Sequence, residues 1–310
     1  MWFFHTAFFI DIFSVYGIIY ADNHPQLYRN TRGYIMKNEN DYLYHYTNIE
    51  TLALILKNHT IRFNSLDKMD DLQEQETADL KNVGQFCYIS SWTDDVDESI
   101  PMWNMYTSID SGVRIRLKKN PFKLHENTAD ELRQAINAPV TDNTNGTPLK
   151  TLIPVADMFR RQFISPGLTP DNILHKVEYS ADHDKLYPKL VNINGDTCSI
   201  ALGTLGKYKN THWSFQNEWR YILLLFPLDL NQPIRTLGNA AQIMGKKMLQ
   251  GLEQQPFPSY DMTIDDAAYY EMEITLSPKI SAGNRIIVEN LVEKYNPSAV
   301  VKDSSLIGLI

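Results

Sequence analysis

A carboxylate and a guanidinium stand at the entrance to the most apolar run of the sequence. Glu218 and Arg220 occur in HWSFQNEWRYILLLF, directly before the apolar residues 221 to 226. Side chains in a strand alternate between faces with a period of two, so both charges fall on one face. A carboxylate at the edge of a buried strand is costly unless something pairs with it. The pattern therefore predicts either an ion pair that seals a sheet or the acidic group of a functional site.

Further polar residues stand at the ends of aromatic strands. His45 lies between two tyrosines in YLYHY, and Ser90 and Ser91 end the strand-like segment QFCYISSWT. Trp103 and Tyr106 are three apart in IPMWNMYT, which puts them on one face of a short helix. Such residues suit hydrogen bonding and ring stacking. A hydrogen-bonded core histidine and core packing of the two aromatic rings are the structural alternatives.

Other catalytic motifs are missing from the sequence. It holds no zinc-protease helix, nucleophile elbow or dinucleotide-type glycine fingerprint. GTLGKY lacks the spacing of a phosphate-binding loop, because Ala201 stands where the first glycine must be and Tyr208 follows Lys207. His183 lies between two aspartates in ADHDKLYP, which is more typical of a solvated loop than of a metal site. The sequence thus predicts no metal cofactor.

Helix and strand patterns surround these residues. Thr47 and Glu50 have the spacing of a capping box, which predicts a helix start after the first aromatic strand. In GVRIRL apolar residues alternate with Arg114 and Arg116, which predicts a strand with a solvated arginine face. Strands and helices follow one another without strict βαβ alternation, as is typical of an α+β fold. We therefore expect a single α+β domain over residues 41–310, with flanking helices and a helical insertion at 121–175.

Composition limits the classes of function. The chain has 310 residues, 43% of them hydrophobic and 21% charged, which is ordinary for a soluble globular protein. A formal net charge of −8 argues against general affinity for nucleic acid backbone. The two cysteines, Cys87 and Cys198, stand far apart and outside any paired motif. We expect no disulfide framework and a cytoplasmic location.

The N-terminal segment differs from the remainder. MWFFHTAFFIDIFSVYGIIYA is apolar for about the length of a membrane span, yet no Lys or Arg precedes the apolar run and Asp11 interrupts it. A membrane anchor through residues 1–20, a helix packed on the domain and a start codon assigned too early are the alternatives. We favour a natural start at Met36, in MKNENDYLYHYTN, with polar linker before it. Contact with a membrane is expected only if the anchor alternative holds.

The ordered motifs resemble a family of bacterial proteins grouped as a domain of unknown function. The shared features are LYHYT near the start, SSWT followed by MWNMY, GVRI, the late NEWR, and the C-terminal ITLSPKIS…RIIVENL…KYNPSAVVKDSSL. The resemblance covers roughly residues 42–117, 175–226 and 268–306. That family has no settled activity, so the resemblance implies a shared fold more than a function.

The layout is also similar, more distantly, to the ADP-ribosyltransferase superfamily, whose members hold NAD in a cleft of a split sheet. The resemblance implies a mixed, split central sheet in this chain. It also implies that His45 binds a ribose and serves in catalysis, that Glu218 is the catalytic acid, and that Tyr106 stacks on nicotinamide. The other cofactor-binding positions that it implies are Tyr46, Thr47, Ser90, Ser91, Trp103, Arg114 and Arg220.

The implied roles fit the chemistry of NAD cleavage. Breaking the bond from ribose to nicotinamide passes through an oxocarbenium-like state, which a nearby carboxylate stabilises. The resemblance therefore implies an enzyme that transfers ADP-ribose from NAD to an unidentified protein or nucleic acid acceptor, or hydrolyses NAD. A bacterial toxin or phage-defence effector would fit. A non-catalytic nucleotide- or peptide-binding module is the second hypothesis, and an aromatic site for single-stranded nucleic acid is the third.

Overall fold

The chain folds as an α+β protein with a large mixed sheet, which confirms the predicted α+β class and mixed sheet. The computed structural model describes residues 7–8, 41–128, 130, 149–166, 169–195, 197–228 and 237–310. Apart from Ala7 and Phe8, which form a short strand, the N-terminal segment 1–40 lies outside these ranges, as do residues 131–148 of the predicted insertion. No helix within these ranges combines the length and the apolar character needed to cross a bilayer.

The described strands are β1 (Ala7–Phe8), β2 (Tyr42–Asn48), β3 (Thr60–Ser65), β4 (Cys87–Thr93), β5 (Gly112–Lys118), β6 (His125–Asn127), β7 (Leu149–Thr151), β8 (Phe163–Ile164), β9 (Leu174–Lys176), β10 (Glu178–Ser180), β11 (Val191–Asn194), β12 (Thr197–Ile200), β13 (Tyr208–Asn210), β14 (Glu218–Leu224), β15 (Phe226–Pro227), β16 (Ser259–Thr263), β17 (Glu273–Leu276) and β18 (Val300–Lys302). The described helices are α1 (Ile49–Asn58), α2 (Ile100–Tyr106), α3 (Val155–Arg160), α4 (Pro170–Ile173), α5 (His183–Leu186), α6 (Leu237–Leu249), α7 (Asp266–Tyr270) and α8 (Ala282–Tyr295). Short 3-10 turns include Leu72–Gln75 and Thr211–Gln216.

The main sheet has nine strands, in the order β16-β3-β4-β2-β5-β17-β18, with β14 on β4 and β9 on β14. Its pairs are antiparallel except for β17 and β18, which run parallel. The parallel pair is what makes the sheet mixed. Shorter sheets of two or three strands surround it.

Strand β4 lies at a point where the main sheet divides. One of its edges pairs with β14 along the whole strand, from Thr93 opposite Glu218 to Cys87 opposite Leu224. On the other edge, β3 pairs with residues 88 and 89, whereas β2 pairs only at Thr93, opposite Tyr44. The rest of β2 follows β5 instead. β2 therefore diverges from β4 after a single pair, which leaves a gap between the two strands.

Alternation along β14 divides its side chains between two cores. Tyr221 and Leu223 pack into the larger core, whereas Ile222 packs into a second core with Cys87 and Ile89 of β4. Because the period is two, Glu218 and Arg220 project on the same face as Ile222. The charged pair therefore lies on the side of the smaller core.

The start of α1 departs from the sequence prediction. The cap is Asn48, whose side-chain oxygen accepts a hydrogen bond of 2.8 Å from the Thr51 backbone N–H. The predicted capping box of Thr47 and Glu50 is wrong, because β2 continues through Asn48 and the Thr47 side chain is buried in the sheet. An asparagine provides the cap equally well.

Candidate functional site

A cavity of about 90 Å³ lies between the diverging strands β2 and β4. Tyr44, His45 and Tyr46 of β2 form one wall, and Ser91 and Trp92 of β4 form another. The other lining residues come from α2, the segment around residue 70, and the run from β13 to β14: Met69, Asp70, Met102, Tyr106, Lys209, Gln216, Glu218 and Arg220. Most of these walls are aromatic or apolar, whereas one end carries a cluster of charges. The cavity can therefore hold a ring-sized group with polar substituents.

The side chain of His45 bridges β2 and β4 where the backbone pairing between these strands ends. Its Nδ1 lies 2.8 Å from the backbone oxygen of Ser91, which can only accept, so Nδ1 carries the proton. Burial lowers the pKa of His45, outweighing the opposing effect of that hydrogen bond. The ring is therefore neutral at pH 7, and Nε2 is a hydrogen-bond acceptor. Its ring also contacts Trp92, with the centroids 5.0 Å apart.

Glu218 begins β14 and is bound by several donors. Arg220 Nε donates to Oε1 at 2.6 Å, and Arg220 Nη2 donates to Oε2 at 3.0 Å. Lys209 Nζ lies 3.3 Å from Oε2. A carboxylate has about four acceptor positions, so these three hydrogen bonds occupy most of them.

Glu74 completes a buried cluster of four charges, here called the ion cluster: Glu74, Lys209, Glu218 and Arg220. Arg220 binds Glu74 in a second bidentate pair, and Lys209 Nζ lies 3.0 Å from Glu74 Oε1. Each of the four side chains is at most 7% exposed. Two acids thus face two bases, and the cluster is electrically balanced.

The ion cluster sets the ionisation of Glu218. Burial by itself raises the pKa of Glu218, but the charges of Arg220 and Lys209 outweigh it and hold the pKa at about 2. Burial likewise works against the charge of Arg220, whose pKa is nevertheless raised because Glu218 and Glu74 stabilise the cation. Glu218 is therefore a permanent carboxylate near neutral pH and cannot act as a proton donor there.

A chain of hydrogen bonds runs from the ion cluster to Tyr106. Lys209 Nζ donates to Gln216 Oε1 at 2.9 Å, and Gln216 Nε2 donates to the Tyr106 hydroxyl. Gln216 is 2% exposed and ends the 3-10 turn before β14. Burial, followed by the charge of Glu218, raises the pKa of Tyr106, so its hydroxyl stays protonated.

The structure places six of the ten predicted site residues on the cavity: His45, Tyr46, Ser91, Tyr106, Glu218 and Arg220. The other four do not line it: Thr47, Ser90, Trp103 and Arg114. Trp103 is fully buried, and its Nε1 donates to Glu98 at 3.0 Å. Ser90 accepts a hydrogen bond of 3.0 Å from Trp92 Nε1. These four residues do not contact the cavity, so the structure does not support their predicted binding roles.

Arg114 corrects the expectation of a solvated arginine face. It is 3% exposed, and its guanidinium lies 3.8 Å from the ring centroid of Tyr44 on the paired strand. Its Nη2 donates to the backbone oxygens of Asp95 and Val96. The tyrosines of β2 share a face with it and exclude water, a partnership across strands that the pattern of β5 alone does not reveal.

Sequence reasoning missed three residues that connect the site: Glu74, Lys209 and Gln216. Glu74 occurs in LDKMDDLQEQETADL, whose acidic character predicts a solvent-facing loop and helix, yet Glu74 is buried. Arg220, two residues after Glu218, is already a sufficient ion-pair partner in the sequence. No sequence feature therefore indicates that Lys209 or Glu74 joins the pair. Only the cost of burying unpaired charge, applied to a known fold, identifies them.

Comparison with known proteins returned no matching family model, no matching curated protein and no matching solved structure. Among the described residues, no group of three or more His, Cys, Asp or Glu side chains is placed to hold a metal ion.

Proposed function

We propose that this chain is an NAD-consuming enzyme of the ADP-ribosyltransferase type, which transfers ADP-ribose to an acceptor or hydrolyses NAD. One observation carries the proposal. His45, Tyr106 and Glu218 come from three distant segments, and all three line one aromatic cavity where β2 and β4 diverge. The sequence resemblance assigned these residues to NAD without knowledge of that cavity.

The cavity suits the nicotinamide end of NAD. Its volume of about 90 Å³ fits a single ring, so the remainder of the dinucleotide would lie outside. Tyr106 and the other aromatic walls would contact the ring, and His45 Nε2 would accept from a ribose hydroxyl. The bond from ribose C1′ to nicotinamide breaks, nicotinamide leaves as a neutral molecule, and water or the acceptor bonds to C1′ and loses a proton.

Glu218 would stabilise the positive charge that develops on the ribose. Its low pKa suits this role, since the carboxylate stays ionised. To contact a ribose hydroxyl it can use its remaining acceptor position or exchange one of its present donors. Lys209, at 3.3 Å, is the most distant of the three charged contacts and still has Glu74 and Gln216 as partners, so it is the donor we expect to be exchanged.

The test compares two glutamines introduced into the same ion cluster. Glu218→Gln and Glu74→Gln each remove one charge that pairs with Arg220 and Lys209, but only residue 218 lines the cavity. We expect Glu218→Gln to lower the rate of NAD consumption by at least about a hundredfold, the scale of losing an electrostatic contact in a transition state. Glu74→Gln should retain most of the rate. NAD loss and nicotinamide release would be followed by chromatography.

Folding is checked in parallel by the thermal midpoint of each variant, which should fall similarly for both. Equal loss of activity in the two variants would assign Glu218 a structural role. A wild-type protein that leaves NAD intact, with and without protein or nucleic acid acceptors, would remove the enzyme proposal.

The extensive pairing of Glu218 with Arg220 and Lys209 favours a second candidate, a binding module that holds a nucleotide or a peptide without turnover. Arg220 and Lys209 already occupy three of its about four acceptor positions, which makes the carboxylate a poor partner for a ribose hydroxyl while the ion cluster is intact. This candidate predicts that NAD or its fragments raise the thermal midpoint with no nicotinamide released. Under it, Glu218→Gln would lower stability but leave ligand affinity nearly unchanged.

A further inference from the structure

We propose that Gln216 is a positioning residue that fixes the Tyr106 hydroxyl as a hydrogen-bond donor to the ligand. The inference rests on the proposed function only for the identity of the ligand as a nicotinamide-type ring. It follows from the direction of each hydrogen bond around Gln216, a residue that neither the strand pattern nor the family resemblance had singled out.

The amide of Gln216 has one allowed orientation. Lys209 Nζ is an ammonium with three donors and no acceptor, so the atom of Gln216 that faces it at 2.9 Å must be the carbonyl oxygen. The amide nitrogen then faces Tyr106 and donates to its hydroxyl oxygen. Because Gln216 is 2% exposed, water does not offer it an alternative partner.

This orientation settles the polarity of Tyr106. Its oxygen accepts from Gln216, so its own O–H proton points elsewhere, and no acceptor among the described residues takes that proton. Tyr106 lines the cavity, so the O–H is available there. A carbonyl on the bound ring, such as the carboxamide oxygen of nicotinamide, is a matching acceptor. His45 Nε2 supplies the opposite polarity in the same cavity.

The proposal makes Gln216→Glu a directed test. A carboxylate at 216 still accepts from Lys209, but it cannot donate to Tyr106 and instead accepts the Tyr106 proton. The hydroxyl then turns from the ligand toward residue 216. Tyr106→Phe removes the same donor outright. Both variants should therefore weaken nicotinamide binding by about tenfold, the scale of one hydrogen bond in a cavity.

The measurement is a double-mutant cycle with nicotinamide as the probe, titrated into the full chain by NMR. Gln216→Glu should weaken binding in the wild-type background and have little further effect in the Tyr106→Phe background, because the same donor is lost once. Gln85→Glu is the matched control, since Gln85 does not line this cavity. A merely structural effect of Gln216→Glu would instead weaken binding to the same extent in both backgrounds.

The outcomes separate this inference from the proposed enzyme. Suppose that the losses of nicotinamide affinity are non-additive and that the wild type does not consume NAD. This result would support the role of Gln216 and contradict the proposed transferase activity. If the double variant loses affinity for nicotinamide by the product of the two single losses, the role of Gln216 is overturned, even if NAD is consumed. The same holds if Tyr106→Phe keeps full affinity. A wild-type protein that binds neither nicotinamide nor NAD would overturn both.

Discussion

At the scale of single residues, Arg220 bridges two buried carboxylates. It makes bidentate contacts with Glu218 and with Glu74, and it also donates to the backbone oxygen of Gly206 at 3.0 Å. Removing it leaves two buried acids with Lys209 as their one charged partner among the described residues. The cost of breaking a buried pair in this way is set by the uncompensated charge, and is larger than the net contribution of the intact pair.

We predict that Arg220→Met lowers the free energy of unfolding by about 3–5 kcal/mol. The matched control is Arg62→Met, which removes a bidentate pair with Asp261 whose side chains are 51% and 40% exposed. Solvent screens that pair, so its loss should cost about 1 kcal/mol or less. Urea unfolding of both variants measures the difference, and equal costs would contradict a buried, uncompensated cluster.

His45 makes a prediction about pH. Burial lowers its pKa in the folded chain below the value of 6.5 that it has when unfolded. As the pH falls below about 6.5, the unfolded chain takes up a proton that the folded chain does not, so stability is lost. The contribution is complete above the unfolded pKa and disappears as the pH falls toward the folded pKa.

The variant His45→Asn isolates that effect. The asparagine amide can replace Nδ1–H as the donor to the Ser91 carbonyl, but it does not titrate. We expect the stability difference between wild type and His45→Asn to shrink as the pH is lowered from 7.5 to 5, in urea titrations at several pH values. A difference independent of pH would mean that His45 does not change protonation on unfolding. The other histidines cancel in the comparison.

At the scale of elements, the strands and helices that carry the site follow from local pattern. Alternation in residues 112–117 and the apolar run after Glu218 predicted β5 and β14, and both are present. The segment YYEMEITLS shows the limit of such patterns, because its tyrosines, isoleucine and threonine favour a single strand. Its first residues end α7, capped by Asp265, and only Glu273–Leu276 form β17. The Asp265 side chain accepts from the Ala267 N–H, and this local cap outweighs the strand propensity of the tyrosines.

The cap of α1 gives a prediction at this scale. Asn48→Ala should lower the free energy of unfolding by about 1 kcal/mol, because the Thr51 N–H loses its acceptor at the helix start. Glu50→Ala is the control, since a capping box would make it nearly as costly, whereas the observed cap leaves Glu50 exposed. We expect its cost to stay within about 0.5 kcal/mol. A larger loss of stability in Glu50→Ala would instead support the predicted capping box.

At the scale of the whole molecule, one sheet holds two cores. Neighbouring residues of β4 and β14 belong to opposite cores, Tyr88 and Leu223 to the larger and Ile89 and Ile222 to the smaller. Both cores therefore depend on the same two strands. If these strands separate, the side chains of both cores become exposed to solvent. We expect the described domain to unfold as a unit.

This coupling predicts that Leu223→Ala and Ile222→Ala act on one and the same transition. Each removes a buried aliphatic side chain, at a cost of about 2–5 kcal/mol, the first from the larger core and the second from the smaller. Tryptophan fluorescence and far-ultraviolet circular dichroism should give coincident transitions in both variants. Separate transitions would show two independently stable cores.

The sequence by itself determined the α+β class, the strand that carries Glu218 and the helix that carries Tyr106, because these depend on periodicities within a few residues. It also indicated that a carboxylate at residue 218 needed a partner. Arg220 was one partner that the sequence offered, and only the tertiary structure showed that Lys209 and Glu74 complete the cluster. Lys209 binds Glu218 from β13, Glu74 binds Arg220 and Lys209 from a distant segment of the chain, and Tyr44 and Tyr46 bury Arg114 through strand pairing. Burial depends on how the sheet is assembled from distant segments. Whether a charged side chain is solvated or must be paired is therefore decided only in the folded structure.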